Sequence, residues 1–346
     1  MHRSNYPSGK DLLGAEAVSL ADLEDVFARA DKHWAELNAD DAEAEDSLGT
    51  RSILRRPKMV ATLFDQRSTR TRLGFQAAAG RLGHQSIDVF DPERSRMGHA
   101  GGESVDDHIR TIEAYSDLIV VRSHQENLPY RIARLTYLPV VNAGNGADEH
   151  PTQALVDLYA IYKMRGAISG LSIALSSDTR ARFALSFVKM LRLDPPRRFT
   201  LCCLPDVSIN PPMREAMDRL QSLGTLVNVV HDVRQTLDHD VLSIQMQDMS
   251  KFAHASLGAE AVDKELETEP FTLTARKIIE ANSSTLILNP LPRFSELDVS
   301  CDTLPNAGYF QQVKLSTPVR MAVLERMLAG VPWTGQIDNL YHSPAG

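Results

Sequence analysis

Eight consecutive residues, Asp65-Gln66-Arg67-Ser68-Thr69-Arg70-Thr71-Arg72, interleave the hydroxyls of Ser68, Thr69 and Thr71 with the guanidinium groups of Arg67, Arg70 and Arg72. The apolar run Met59–Phe64 ahead of them reads as a strand, and the stripe Leu73, Phe75, Ala78, Ala79 and Leu82 predicts a helix over Arg70–Leu82. A helix start leaves backbone N–H groups without intrahelical partners at the positive end of the dipole. Those donors, the hydroxyls and an arginine together make a seat for a phosphate or carboxylate. Capping alone would use one hydroxyl and would gain nothing from the arginines.

A second junction reads Asn142-Ala143-Gly144-Asn145-Gly146-Ala147-Asp148-Glu149-His150-Pro151-Thr152-Gln153 after the strand-like Val140–Asn142. Pro151 suits a first helical position, so His150 and Gln153 sit at a helix start. An imidazole there can donate to a developing oxyanion, and a side-chain amide can fix a planar amide substrate. Arg122, ending the run Leu118–Val121, can reach the same pocket. In Asn289-Pro290-Leu291-Pro292-Arg293 the two prolines remove N–H groups and stiffen an extended loop, leaving carbonyls to accept.

The elements that must position these groups alternate. Further strands are expected at Leu171–Leu175, Phe199–Leu204, Leu226–Val230, Val241–Ile244 and Thr285–Leu288. Helices are expected at Val105–Tyr115, Pro151–Lys163, Phe183–Leu193, Pro212–Leu223, Thr272–Ala281 and Pro318–Leu328. Apolar strands separated by amphipathic helices specify parallel sheets covered on both faces, an α/β fold of two doubly wound parallel-sheet domains joined by interdomain helices. Ligands then bind beyond the carboxyl ends of strands where strand order reverses. The expected division is 1–155 with 317–335, then 156–316, with a loose tail over 336–346 that starts near Gly335. Ala35–Asp46, almost all acidic and alanine, reads as a solvated loop.

Composition excludes several classes. A formal charge of −8 over 346 residues argues against nucleic acid or an anionic membrane as partner. The three cysteines, Cys202, Cys203 and Cys301, form no disulfide framework. The junction Ser176-Ser177-Asp178-Thr179-Arg180-Ala181-Arg182 lacks the glycines of a dinucleotide turn, no P-loop occurs, and the histidines show no zinc-binding spacing. No cofactor or metal is expected. No run approaches a spanning helix and residues 1–10 lack a signal-peptide core, so a cytoplasmic protein is expected.

Taken together, the junctions resemble the aspartate/ornithine carbamoyltransferase family, its aspartate branch most closely, from about Leu12 to Leu328. Ser68-Thr69-Arg70-Thr71-Arg72 is similar to the family's carbamoyl phosphate loop, His150-Pro151-Thr152-Gln153 to its His-Pro-Thr-Gln motif and Pro290-Leu291-Pro292-Arg293 to its Pro-Leu-Pro-Arg loop. Tyr309-Phe310-Gln311-Gln312 matches a further signature. The resemblance implies that residues 1–155 bind carbamoyl phosphate and 156–316 an amino-acid acceptor. It implies Ser68, Thr69, Arg70 and Thr71 around the phosphate, with Arg122 bridging phosphate and carbonyl oxygen. Thr71, Arg122 and His150 would polarise the carbonyl, while Gln153 and the Pro290 and Leu291 carbonyls would grip the carbamoyl NH₂. It also implies a homotrimer with active sites at subunit interfaces.

The chain departs from the family at two places. The mobile loop donated by a neighbouring subunit normally carries a Ser and a Lys; here Ser95–Ser104 puts Gly101 at the lysine, leaving Arg96 or His99 as replacements. On the acceptor side Arg182 matches one carboxylate-binding arginine, but the arginine two residues before Gln247 is Gln245. Leu185 and Asn289 stand where the family has histidines. An amide in place of a guanidinium forfeits a bidentate carboxylate contact, which favours aspartate less and a related amine more. Two other readings remain: a non-catalytic anion-binding homologue, and the same fold applied to another activated carbonyl donor.

Overall fold

The computed structural model describes residues 9–39, 56–66, 68–89, 104–205, 208–245 and 269–336. The chain divides into two compact units, residues 1–155 with 315–346, and residues 156–314. Each is built on a parallel sheet with helices between its strands, the α/β class expected from the apolar-run pattern.

In the first unit, β1 (Met59–Phe64), β2 (Gln85–Asp88), β3 (Leu118–Ser123) and β4 (Val140–Asn145) lie in the order β2-β1-β3-β4. The chain steps one way from β1 to β2 and then returns to the other side of β1 for β3, so strand order reverses between β1 and β3. Phe64 pairs with Arg122 and Ser123 with Asn145, so the loops after β1, β3 and β4 leave the same edge of the sheet. α1 (Leu20–Leu37), α2 (Thr69–Arg81), α3 (Val105–Tyr115) and α4 (Leu128–Leu135) complete the unit, with a core of Leu63, Ile109, Ile112, Ile119, Val121 and Ile132. The sequence reading omits β2, α1 and α4. β2 is a polar, mostly exposed edge strand with no apolar alternation to betray it.

Ala35–Leu37 of the expected acidic loop belongs to the end of α1; residues 40–46 lie outside the described residues. α1 starts with a capping box in which Ser19 accepts from the Asp22 N–H and Asp22 from the Ser19 N–H. The expected tail is fastened further than its composition suggests. Gly335 N–H donates to the Ala17 carbonyl and Gln336 N–H to that of Glu16, whereas 337–346 are outside the described residues.

The second unit orders β5 (Ser172–Ser176), β6 (Arg198–Cys202), β7 (Leu226–Val230), β8 (Val241–Ile244) and β9 (Leu286–Leu288) as β7-β6-β5-β8-β9. Here the order reverses between β5 and β8. α6 (Arg182–Leu191), α7 (Pro211–Ser222) and the short α8 (Ala275–Glu280) connect the strands. α5 (Pro151–Arg165) and α9 (Tyr309–Leu328) each run through a unit boundary. The sequence places the last helix at Pro318–Leu328, but it starts at Tyr309 and carries Pro318 inside. An internal proline forfeits a ladder bond and costs about 3 kcal/mol. Burial of Leu315, Val319, Ala322, Val323 and Met327 outweighs that penalty.

Candidate active site

The first unit assembles its polar groups at the β1/β3 reversal. β1 delivers the chain to Ser68, the N-cap of α2, whose extended backbone opens the helix but whose side chain makes no capping bond. Thr69 and Arg70 are exposed and Thr71 is buried at the same helix start. Arg72 is turned to the Asp88 carboxylate at 3.2 Å, and Arg67 lies outside the described residues. Of the two described arginines, Arg70 is therefore the one at the helix N-terminus that is not turned to Asp88.

Asp65 ties the neighbouring loops together. Its N–H donates to the Arg122 carbonyl at 3.1 Å, and its carboxylate accepts from Ser123 Oγ at 2.7 Å and the His124 N–H at 2.9 Å. Arg122, on the strand beside β1, donates Nη1 to the Ala143 carbonyl at 3.0 Å and to His150 Nε2 at 3.2 Å. A guanidinium only donates, so Nε2 of His150 accepts and the ring proton belongs on Nδ1, 3.3 Å from Thr152 Oγ1. With this tautomer, the proton donor of the Arg122–His150 pair is the guanidinium.

His150 is held by a folded turn. Asn145 Oδ1 accepts from the Glu149 N–H and its Nδ2 donates to Asp148, while Tyr130 Oη donates to Asp148 at 2.9 Å. Burial and the Asp148 carboxylate push the Tyr130 hydroxyl pKa up. Gly146 takes φ +46°, and a Cβ there would stand 2.4 Å from Glu126 Cγ, so glycine is required. Gln153 follows in the first turn of α5. Against α2, Arg320 is buried across the Phe75 ring at 5.6 Å. A Cβ on Gly74 would come within 2.7 Å of its Nη1.

The second unit places its groups at its own reversal. Arg182 opens α6 beyond β5, is 7% exposed, and burial pushes its guanidinium pKa down to about 10. Gln245 leaves β8 beside it, its N–H on the Ser176 carbonyl at 2.8 Å. The Gln245 side chain is buried, its Nε2 donating to Asp157 Oδ2 and Ser243 Oγ, both at 3.0 Å. Beyond β9, Leu291 takes φ +54° and its N–H donates to Asn289 Oδ1 at 2.6 Å. Arg293 is clamped on Asp302, with its Nη2 2.8 Å from Oδ2, and lies 5.7 Å over the Tyr309 ring. That pairing brings the Asp302 carboxyl down to about 2. Burial raises the neighbouring Glu296 carboxyl.

Thus Arg122 and His150 are in contact, Ser68–Thr71 emerge from the adjacent strand end, and Arg182 and Gln245 flank one reversal in the other unit. Arg96, His99 and Gln247 are outside the described residues. Sequence reasoning missed Asp65 and Asp157, because a lone aspartate in a loop or helix carries no spacing signal.

Comparison with known proteins adds a separate line. The family model described as aspartate/ornithine carbamoyltransferase, carbamoyl-P binding domain, matches residues 10–163. The aspartate carbamoyltransferase catalytic subunit of Thermofilum pendens is 33% identical over 330 residues, covering 95% of this chain and 98% of the relative. That of Korarchaeum cryptofilum is 32% identical, covering 92% and 98%. Among solved structures, Trypanosoma cruzi aspartate transcarbamoylase with N-(phosphonacetyl)-L-aspartic acid aligns with TM-score 0.78 at 28% identity, covering 92% of this chain and 95% of that one. The M. jannaschii catalytic subunit aligns with TM-score 0.78 at 28% identity, covering 93% and 99%. From the motif-bearing junctions, the two parallel sheets and relatives matched along nearly their whole length, the chain belongs to the aspartate/ornithine carbamoyltransferase family.

Proposed function

We propose that the protein transfers the carbamoyl group of carbamoyl phosphate to the amino group of an amino acid, aspartate or a related amine, and releases phosphate. The observation that carries this reading is the start of α2. An N-cap serine that makes no capping bond, two hydroxyl residues and an exposed arginine meet there, one strand away from the Arg122–His150 pair. Ser68, Thr69, Arg70 and Thr71 take the phosphate, and Arg122 reaches both phosphate and carbonyl oxygen. Gln153 and the Pro290 and Leu291 carbonyls take the NH₂ group, and Arg182 takes an acceptor carboxylate.

The neutral amine attacks the carbonyl carbon, charge gathers on the carbonyl oxygen, the C–O bond to phosphate breaks, and the amine proton leaves with the phosphate. No electrons change hands, so the step needs no redox cofactor. Holding two reactants in register supplies about 7–11 kcal/mol. Each well-placed oxyanion donor supplies about 3–4 kcal/mol, a role that falls first to Arg122. We assign the protein to a cytoplasmic homotrimer, to be checked by light scattering.

The test is phosphate release from carbamoyl phosphate with a panel of amines, measured above the spontaneous background. Release that depends on one amine and vanishes in Arg70→Ala supports transfer. Thermal stabilisation by carbamoyl phosphate without turnover would replace it with an anion-binding homologue.

A further inference from the structure

A chain of buried polar groups in the second unit lies outside the roles assigned above. Asp157, on α5, is fully buried; Gln245, Asn289, Glu296 and Gln312 are each at most 2% exposed. Asp157 Oδ2 accepts from Gln245 Nε2 at 3.0 Å and Oδ1 from Gln312 Nε2 at 2.7 Å. A carboxylate accepts at both oxygens, so both amides turn their nitrogens toward it. Gln312 is then left with its carbonyl oxygen facing the Asn289 N–H, at 3.0 Å.

Asn289 passes the constraint into the loop. Its Oδ1 takes the Leu291 N–H at 2.6 Å, and its Nδ2 donates to Glu296 Oε1 at 3.3 Å. Glu296 Oε2 in turn takes the Phe294 N–H at 2.8 Å. Between these anchors Leu291 sits in the left-handed region at φ +54°, a conformation that a non-glycine residue keeps only where its surroundings over-determine it. The relay supplies that determination. It reaches from the end of β8, through one carboxylate, to the backbone of Asn289 and Leu291.

We propose that Asp157 is a positioning residue for the Asn289–Arg293 loop, fixing through Gln312 the orientation in which the Pro290 and Leu291 carbonyls are presented. Its kinetic consequence rests on the carbamoyl-transfer reading. Phosphate is held by other residues, so loss of the relay misorients the carbamoyl group without loosening phosphate.

The experiment uses the full-length protein and carbamoyl phosphate with a productive amine. Asp157→Asn offers one acceptor and one donor in place of two acceptors, and Gln312→Leu cuts the relay at its middle. Each is expected to lower kcat about 10- to 100-fold, the scale of a small misplacement of reacting groups. The inhibition constant of inorganic phosphate should stay within about twofold, because each decade corresponds to 1.4 kcal/mol of phosphate contact that the relay does not make. The double variant should be no slower than the slower single variant. Equal loss of kcat and phosphate affinity, additive losses, or an unchanged kcat in folded variants would overturn the assignment.

Amide hydrogen exchange on the wild-type protein tests the backbone end of the relay independently of turnover and of variant folding. Asn289 and Leu291 should be strongly protected, and rapid exchange at both would remove the relay. Wild-type protein that releases no phosphate with any amine would end the transfer reading, while the exchange result would still judge the relay.

Discussion

The two strand-order reversals of this molecule handle polar groups in opposite ways. At the first, between β1 and β3, the hydroxyl of Ser68 makes no capping bond, and Thr69 and Arg70 are exposed. At the second, between β5 and β8, Gln245 is 1% exposed and its amide nitrogen is spent on Asp157 and Ser243. The first edge leaves Thr69 and Arg70 open to solvent; the second bonds the Gln245 amide nitrogen to buried partners and keeps Gln245 Oε1, Ser176 Oγ and Thr179 Oγ1 buried without one. An edge built for a strongly charged ligand can leave donors in water at little cost, because water bonds them until the ligand arrives. At a buried edge each unmade bond carries the full desolvation penalty, which these three oxygens bear. Position in the fold alone therefore does not tell which groups bind ligand and which bind each other.

The sharpest way to break this contrast is Arg70→Ala. If the first edge is a ligand seat, donor-dependent turnover should fall about 10²–10³-fold, with the melting temperature nearly unchanged. A large drop in melting temperature with intact turnover would make Arg70 a structural residue. Gly74→Val comes next. It drives a side chain into buried Arg320 against α2 and should destabilise by about 1–3 kcal/mol in chemical denaturation, with phosphate affinity reduced in the folded fraction.

Gln245→Leu probes the opposite edge. It takes an amide donor from a buried carboxylate and should cost about 1–3 kcal/mol of stability while leaving phosphate affinity alone. A variant as stable as wild type would mean the amide is not what satisfies Asp157.

The smallest effect lies away from both edges. The His33 hydrogen bond, with Arg29 and Lys32 nearby, brings the Glu325 carboxyl down to about 2 from its usual value of 4.5. A carboxyl lowered in the folded state stabilises fully above its unfolded pKa and loses that contribution as pH falls through the folded one. Between pH 4.5 and about 2, Glu325 should therefore give up stability. Partial exposure to screening solvent limits the amount to about 1 kcal/mol. Denaturation curves of Glu325→Gln across that interval should be flatter than wild type by this increment, and identical slopes would refute the linkage.

Several of these features were legible in the sequence for a simple reason. Met59–Phe64, Leu226–Val230 and Val241–Ile244 match the observed strands end to end, the first and last because a strand buried on both faces must be apolar throughout. Oddly, β7 earns its match through β-branched composition rather than burial, since Leu226 and Val229 are exposed. Gln85–Asp88 is polar because it is an edge, and no local pattern separates such a strand from a loop. Pro318 read as a helix start because local chemistry favours that position, and only packing shows that the helix begins nine residues earlier.

By itself the sequence determined what short-range chemistry controls: apolar runs, helix starts, and the hydroxyl–guanidinium cluster at Ser68–Arg72. It also marked Gln245 as a changed residue. What Gln245 does was decided by tertiary structure alone. Its partner Asp157 is 88 residues away, and the other amide on that carboxylate, Gln312, lies 155 residues from Asp157. A hydrogen bond needs two groups within about 3 Å, and separations along the chain carry no information about that distance until the sheet has brought its strand ends together.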